Sequence, residues 1–242
     1  MSKIIRLKEI DSTHKLALNM IESHQAFECA IIAEKQTNGV GRCGRTWVSG
    51  KGNLYMTILK NKINIPKNVG QLSLAVACAV RESISHFLPK NSDLFIHWPN
   101  DIYYRDKKIS GILIGAVDDW LAISVGVNIQ SVDVCTASSL ADILKVPAIA
   151  TEDVFQMVLK ETEIWLEVLK TDGFLSIKNY WMHHIIGVNS PIVVKNGNES
   201  LSGILRGIDD FGRLILEKDK RNLYISSGDM FMNEKTILVN YD

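Results

Sequence analysis

Two short stretches of the 242-residue sequence hold side chains suited to handling anions. The first, Gln36 to Trp47, interleaves Gly39, Gly41 and Gly44 with Arg42 and Arg45. Glycines let main-chain N–H groups approach an anion closely, and guanidinium forks match phosphate or carboxylate oxygens. The second runs from His97-Trp98-Pro99-Asn100-Asp101 to Lys107-Lys108-Ile109-Ser110-Gly111. A carboxylate beside an amide can hold Mg2+ with nucleotide oxygens, since Mg2+ usually takes one or two carboxylates plus phosphates. Lys108, beyond a β-turn, would return to the same end of a sheet. Each stretch alone also fits a plainer account, a solvated surface loop for the first and ordinary turn residues for the second.

Gly39-Val40-Gly41-Arg42-Cys43-Gly44 formally satisfies G-x-G-x-x-G. A dinucleotide fingerprint requires a glycine tight against a strand end, a helix after the last glycine, and an acid about 20 positions on. Here Gln36-Thr37-Asn38 intervene, a β-rich run from Asn53 to Leu59 follows, and positions 59 to 65 contain no acid. The dinucleotide reading is rejected. No G-x-x-x-x-G-K-[ST] occurs, which excludes a P-loop.

The elements that must position these residues follow from hydrophobic spacing. A first strand is expected over Ile4–Ile10, then a helix capped by Ser12 or Thr13 with Leu16, Met20 and Ile21 inward. Cys29–Ala33 and Asn53–Leu59 read as buried strands, and Val69–Leu88 as a helix. Leu94–Trp98, Ile102–Tyr104, Lys108–Val117 and Leu121–Ile129 read as a meander. Thr151 is expected to cap a helix to Leu169, with Glu152 and Asp153 favouring its positive end and Gly173 just beyond. A shorter helix is expected over Leu175–His184. From Gly187 short strands alternate with turn signals at Asn196-Gly197-Asn198, Asp209 to Gly212 and Ser227-Gly228-Asp229, the pattern of a small β-barrel. The reading is therefore two closely docked units, 1–186 and 187–242.

Charge narrows the function. Lysine plus arginine (27) equal aspartate plus glutamate (27), which gives no electrostatic footprint for nucleic acid or an anionic membrane. Cys29, Cys43, Cys78 and Cys135 are scattered without C-x-x-C spacing, as for reduced thiols in the cytoplasm. Cys43 lies between arginines that favour a thiolate, though a passenger role is the simpler account. His183-His184 diverge on a helix and are read as packed or solvated rather than metal-binding. The first ten residues lack a signal-peptide core, and no run approaches a membrane span.

Taken together and in order, the motifs resemble the catalytic domain of the biotin–protein ligases. They are Asp11-Ser12-Thr13-His14, AEKQTNGVGRCGRTW (33–47), GNLYMTI (52–58), HWPNDIYYRDKKISGIL (97–113) and VGVN (125–128). The resemblance covers nearly the whole chain. It implies an α+β fold, a class II synthetase-like mixed sheet flanked by helices, followed by an SH3-like barrel. The first motif already begins at Asp11, so the repressor type's DNA-binding helix-turn-helix is expected to be missing.

The implied reaction has two steps. Biotin's carboxylate attacks the α-phosphate of MgATP to give biotinyl-5′-AMP and pyrophosphate, and a lysine amine of a biotin carboxyl carrier protein or carboxylase acceptor domain then attacks that mixed anhydride, releasing AMP. By motif position, Ser12, Thr13 and Gln36 hydrogen-bond the ureido ring, with His14 beside them and Gly111 and Gly126 leaving space. Gly39, Val40, Gly41 and Arg42 hold carboxylate and phosphate, and Lys108 contacts the carboxylate or the α-phosphate in both steps. Lys108 and Arg42 are the catalytic candidates, Arg45, Trp47, Asn100 and Asn128 the nucleotide-side candidates, and Asp101 the metal candidate. Ser12 and Thr13 also suit helix capping alone. Four departures stand out: His14 for an asparagine, Val40 for an arginine, His97 for a lysine, and Ser124-Val125 for a glycine-alanine pair. Lipoate ligation on the same fold and a non-enzymatic regulator binding biotinyl-AMP are the competing readings. Homodimerisation through a sheet edge, known in the family, is left open.

Overall fold

The computed structural model describes residues 3–63, 68–146 and 149–232. Among these residues twelve strands and five α-helices follow one another as β1 (Ile4–Leu7), α1 (Thr13–Glu22), β2 (Cys29–Ala33), β3 (Leu54–Asn61), α2 (Val69–Ser85), β4 (Leu94–His97), β5 (Asp101–Tyr104), β6 (Lys107–Val117), β7 (Trp120–Val127), α3 (Leu140–Leu144), α4 (Thr151–Thr171), α5 (Phe174–His184), β8 (Pro191–Asn196), β9 (Glu199–Ile208), β10 (Leu214–Lys218), β11 (Arg221–Ile225) and β12 (Asp229–Met232).

The first seven strands form one sheet in the order β1-β2-β3-β7-β6-β5-β4. β1 and β2 run parallel, and the other neighbours are antiparallel, so the sheet is mixed as expected. β7 to β4 form the anticipated meander. Because successive residues of a strand face opposite sides, β3, β6 and β7 sort their side chains cleanly. Met56, Ile58, Ile112, Ile123, Val125 and Val127 enter the main core under α2 and α4. Thr57 and Ser124 pair across β3 and β7, and Gly111 and Gly126 across β6 and β7. They face the side covered by α1, whose own smaller core is built on Ala17, Ile21, Ile31 and Leu59. The chemistry lies on that second side.

Several expectations change. β1 stops at Leu7, and Ile10 instead makes a single bridge to Gln36. Thr151 is the first helical residue of α4 rather than its cap. Ala150 holds the cap position without a side-chain bond, and the Thr151 hydroxyl donates to the Gly52 carbonyl at 3.4 Å. Glu152 does favour the helix start, but it also pairs with Arg6 at 2.8 Å. The short helix α3, capped by Ser139, was not anticipated.

β8 to β12 form a second, antiparallel sheet in the order β11-β10-β9-β8-β12. Among the described residues its outer strands do not pair, so it is an open five-stranded sheet rather than a closed barrel. Residues 233–242, the end of the expected second unit, lie outside the described residues. The second sheet is docked on the first unit: the Trp98 indole donates to the Gly212 carbonyl at 3.4 Å, and Lys178 pairs with Asp210 at 2.8 Å.

Candidate active site

A cavity of about 260 Å3 opens on the α1 side of the large sheet, lined by Ser12, Thr13, His14 and Gln36 at one end and by Arg42, Asn100, Asp101 and Lys108 at the other. Tyr55 and Met56 of the third motif and Gly126 and Asn128 of the fifth also line it, so residues from all five sequence motifs converge.

Local structure explains the first end. Ser12 caps α1 by accepting from the Lys15 N–H at 3.4 Å, so capping and cavity lining coincide in one residue. The Thr13 N–H donates to Gln36 Oε1 at 2.9 Å, and its hydroxyl donates to the same atom at 3.2 Å. His14 Nδ1 lies 2.7 Å from Ser124 Oγ, which joins two of the four departures across the sheet. Burial pushes the His14 imidazole down to about 4, so it is neutral at physiological pH.

The glycine stretch is neither a dinucleotide turn nor an unstructured loop. Trp47 N–H donates to Gly39 O at 2.9 Å, Gly41 N–H donates to Arg45 O at 2.7 Å, and Val40 bridges Thr46. These bonds make a tight hairpin with a 3-10 turn at Arg42–Gly44, and β3 follows where the fingerprint would need a helix. A side chain at Gly39 would put its Cβ 2.5 Å from the Trp47 carbonyl oxygen, so only glycine fits there. Gly39 thus shapes the hairpin, and it is Val40, Gly41 and Arg42 that line the cavity.

The charged end is internally paired. Lys108 Nζ donates to Asp101 Oδ2 at 2.6 Å, while Asp101 Oδ1 is buried without a partner. Arg42 donates to Asn100 Oδ1 at 2.9 Å and to the Gly228 carbonyl at 3.3 Å. Arg45 donates to Asp229 Oδ1 at 3.0 Å, which raises its already high pKa. The Asn100 amide donates to Ile112 O at 2.5 Å, so both ends of that side chain serve the protein and aim Arg42. Asn128 donates to the carbonyls of Ser138 and Lys108, at 3.1 and 3.5 Å, and fixes the segment that closes the cavity. His97 stacks on Tyr103 at 4.5 Å, and burial lowers its pKa.

The space beside Gly111 and Gly126 is taken by Trp47. A Cβ at Gly126 would lie 2.7 Å from the indole, and one at Gly111 2.9 Å. The two glycines therefore admit an indole where the sequence suggested room for a ligand ring. Lys108 Nζ sits 5.2 Å from the ring centroid, and the indole N–H is buried without a partner.

Sequence reasoning gave no site role to Thr57, Ser124, Ser49 or the Gly228-Asp229 turn, nor to Val132, Val134, Thr136 and Ala137, which wall the cavity. Thr57 had a usable signal, since a hydroxyl in an otherwise apolar strand needs a partner. The wall of 132–137 had none. All four cysteines are free, with Cys29 and Cys78 buried and Cys43 and Cys135 exposed. His183 and His184 each bond the carbonyl four residues back, Asn179 at 2.6 Å and Tyr180 at 2.8 Å.

Residues 7–130 match the biotin/lipoate A/B protein ligase family, and residues 187–232 match the biotin protein ligase C-terminal domain. The chain belongs to this ligase family. A biotin–[acetyl-CoA-carboxylase] ligase of Paracoccus denitrificans is 27% identical over 93% of this chain and 98% of its own length. The bifunctional ligase/repressor BirA of Bacillus spizizenii is 32% identical over 91% of this chain and 71% of its own. Among solved structures, the biotin protein ligase from Aquifex aeolicus in complex with biotin and ATP superposes with a TM-score of 0.84 at 27% identity, covering 96% of this chain and 99% of that one. The ligase family's two-part architecture is thus the one seen here, a mixed sheet followed by a five-stranded antiparallel sheet. Among the described residues no helix is long and apolar enough to cross a membrane.

Proposed function

We propose that the chain is an ATP-dependent biotin–protein ligase that forms biotinyl-5′-AMP and transfers biotin to a lysine of a carboxylase biotin-acceptor domain in the cytoplasm. The observation that carries this is the division of one cavity into a neutral hydrogen-bonding end and a cationic end. A cyclic urea suits the first. A carboxylate and a phosphate, two anions that repel one another, need the second. The superposition on a relative holding biotin and ATP supports the same reading. In it, residues 1–186 carry the chemistry and 187–242 form the C-terminal domain.

Ser12, Thr13 and Gln36 hold the ureido ring. Lys108 and Arg42 bind the carboxylate and the α-phosphate oxygens, and Lys108 exchanges its Asp101 contact for the reacting anions. Arg45 and Trp47 lie on the nucleotide side, with Asn100 and Asn128 acting through the groups they position. Asp101 suits Mg2+: its Oδ1 is buried and unpartnered, and one carboxylate completed by phosphate oxygens is ordinary for this ion. Bound there, Mg2+ would offset phosphate charge. The hairpin 39–47 would cover the mixed anhydride and keep water from it.

Incubation with ATP, labelled biotin or labelled lipoate, and a carboxylase acceptor domain tests the proposal. Label transfer from biotin is expected. Transfer from lipoate without transfer from biotin would overturn it, and binding of biotinyl-AMP without any transfer would favour a regulator.

A further inference from the structure

The neutral end of the cavity holds an unbroken row of hydrogen-bonding groups whose direction can be worked out. A backbone N–H can only donate, so the Gln36 atom facing Thr13 N–H is the carboxamide oxygen. Thr13 Oγ1, 3.2 Å from that oxygen, must then donate to it as well. At the far side of Gln36, its amide donates to Ser49 Oγ at 3.0 Å, and Ser49 donates to the Trp47 carbonyl at 2.8 Å. Both ends of Gln36 are therefore assigned consistently.

The remaining links follow by counting protons, one per hydroxyl. Thr13 has spent its proton on Gln36, so Thr57 donates to Thr13 across 2.9 Å. Thr57 then has none left for Ser124, also 2.9 Å away, and accepts from it. Ser124 in turn can only accept from His14, whose Nδ1 is 2.7 Å distant. Thr57 is fully buried and His14 only 9% exposed, so water cannot readily substitute for a missing link.

We propose that His14 is a positioning residue that, as the Nδ1–H tautomer, donates the proton that completes a hydrogen-bond chain running through Ser124, Thr57, Thr13, Gln36 and Ser49 to the Trp47 carbonyl. The proposal rests on the biotin reading of the site and deepens it. With this direction fixed, Ser124 and Thr13 each keep one lone pair and no free proton. Both line the cavity. They present acceptors to the two N–H groups of a cyclic urea and offer nothing to a ring lacking N–H. The chain also ends on the carbonyl of Trp47, so the ligand's head group and the hairpin that bears Arg42 are joined by one row of bonds. In the other tautomer Ser124 would give its proton to His14, leaving none between Ser124 and Thr57, and the row would break at that link.

Two measurements decide it. In the ligand-free, unsubstituted protein, imidazole 15N shifts should report His14 protonated at Nδ1; protonation at Nε2 alone would overturn the proposal. Biotin affinity should fall about tenfold in His14→Leu and in Ser124→Ala, the scale of one lost hydrogen bond, with the double variant no worse than the weaker single one. KM for biotin should carry the loss while kcat changes by less than about threefold. His14→Asn, which keeps a donor N–H, should recover most of the affinity. Additive losses, a loss in kcat alone, or no recovery by asparagine would each count against it. Failure of the unsubstituted chain to bind biotin would instead remove the functional reading, and the tautomer would still decide whether the chain is complete.

Discussion

The two ends of the cavity are held together in opposite ways. At the neutral end, Thr13, Gln36, Thr57, Ser124 and His14 are buried or half-buried and bonded in series. At the charged end, Arg42, Arg45, Lys108 and Asp101 are bonded in pairs and partly exposed, with Asp229 standing where a ligand anion would compete. The difference teaches how one pocket serves two demands. A neutral head group is recognised by a row fixed in advance, because an unpaired buried polar group is expensive. Reacting anions need cations that can change partners, and exposed ion pairs cost little to exchange.

The sharpest way to break this comparison is Lys108→Ala. Removing the ammonium that faces developing charge should lower adenylate formation about 10²- to 10³-fold, measured by pyrophosphate release, with a smaller loss, about tenfold, in biotin binding from its carboxylate contact. An equal loss in binding would mean that the two ends are not separable. Arg42→Gly comes next. Loss of a charge-assisted contact should speed escape of the adenylate about ten- to a hundredfold, read as biotin label on bystander proteins. A variant that still labels only the acceptor would deny Arg42 its retaining role.

The neutral end can be tested through acid. His14 has a folded pKa near 4, below the usual 6.5 of an unfolded histidine. The unfolded state therefore binds more protons between those values. Stability is intact above about pH 6.5 and declines as pH falls toward 4, by on the order of 3 kcal/mol from this group. Urea titrations of the parent chain and His14→Asn across that window should diverge with this sign. Parallel curves would show that the ring is not buried neutral. Thr57→Val interrupts the row without changing shape, and should cost about 1–3 kcal/mol of stability by leaving Ser124 and Thr13 short of a partner. The smallest effect is expected at Asp229→Asn. Its pairs with Arg42 and Arg45 are partly exposed, so stability should change by less than about 1 kcal/mol. ATP affinity should rise slightly as the arginines lose a competing anion; a large fall would mean that Asp229 aims them.

Much of the scaffold is legible in the sequence. The run Cys29–Ala33 is a strand over the residues expected, because five consecutive small or β-branched residues suit a strand buried on both faces. The hairpin's glycines and arginines were read as suited to anions, and Gly41, Arg42 and Arg45 do line the cavity; Asp101 and Lys108 do meet across the turn. The helix cap at Ala150 was misread because Thr151 is a better capping residue by type, yet its hydroxyl is turned to Gly52 from a loop 99 positions earlier. Gly111 and Gly126 were expected to leave space beside the ureido ring, and the group that lies against both is the Trp47 indole. Type and spacing say that a space is needed; they do not say what fills it.

By itself the sequence determined the order of the first unit's strands and of its helices other than α3, the rejection of a dinucleotide turn, and the set of polar residues available for chemistry. Those are local properties, fixed by periodicity, capping and backbone freedom within a few residues. Only the tertiary structure decided that His14 meets Ser124 over a separation of 110 positions and that Arg45 meets Asp229 over 184. The first contact depends on the register of β3 and β7 beneath α1, and the second on how the C-terminal sheet docks. Neither leaves a periodic trace in the chain, because sheet register and docking are set by packing between elements distant in sequence.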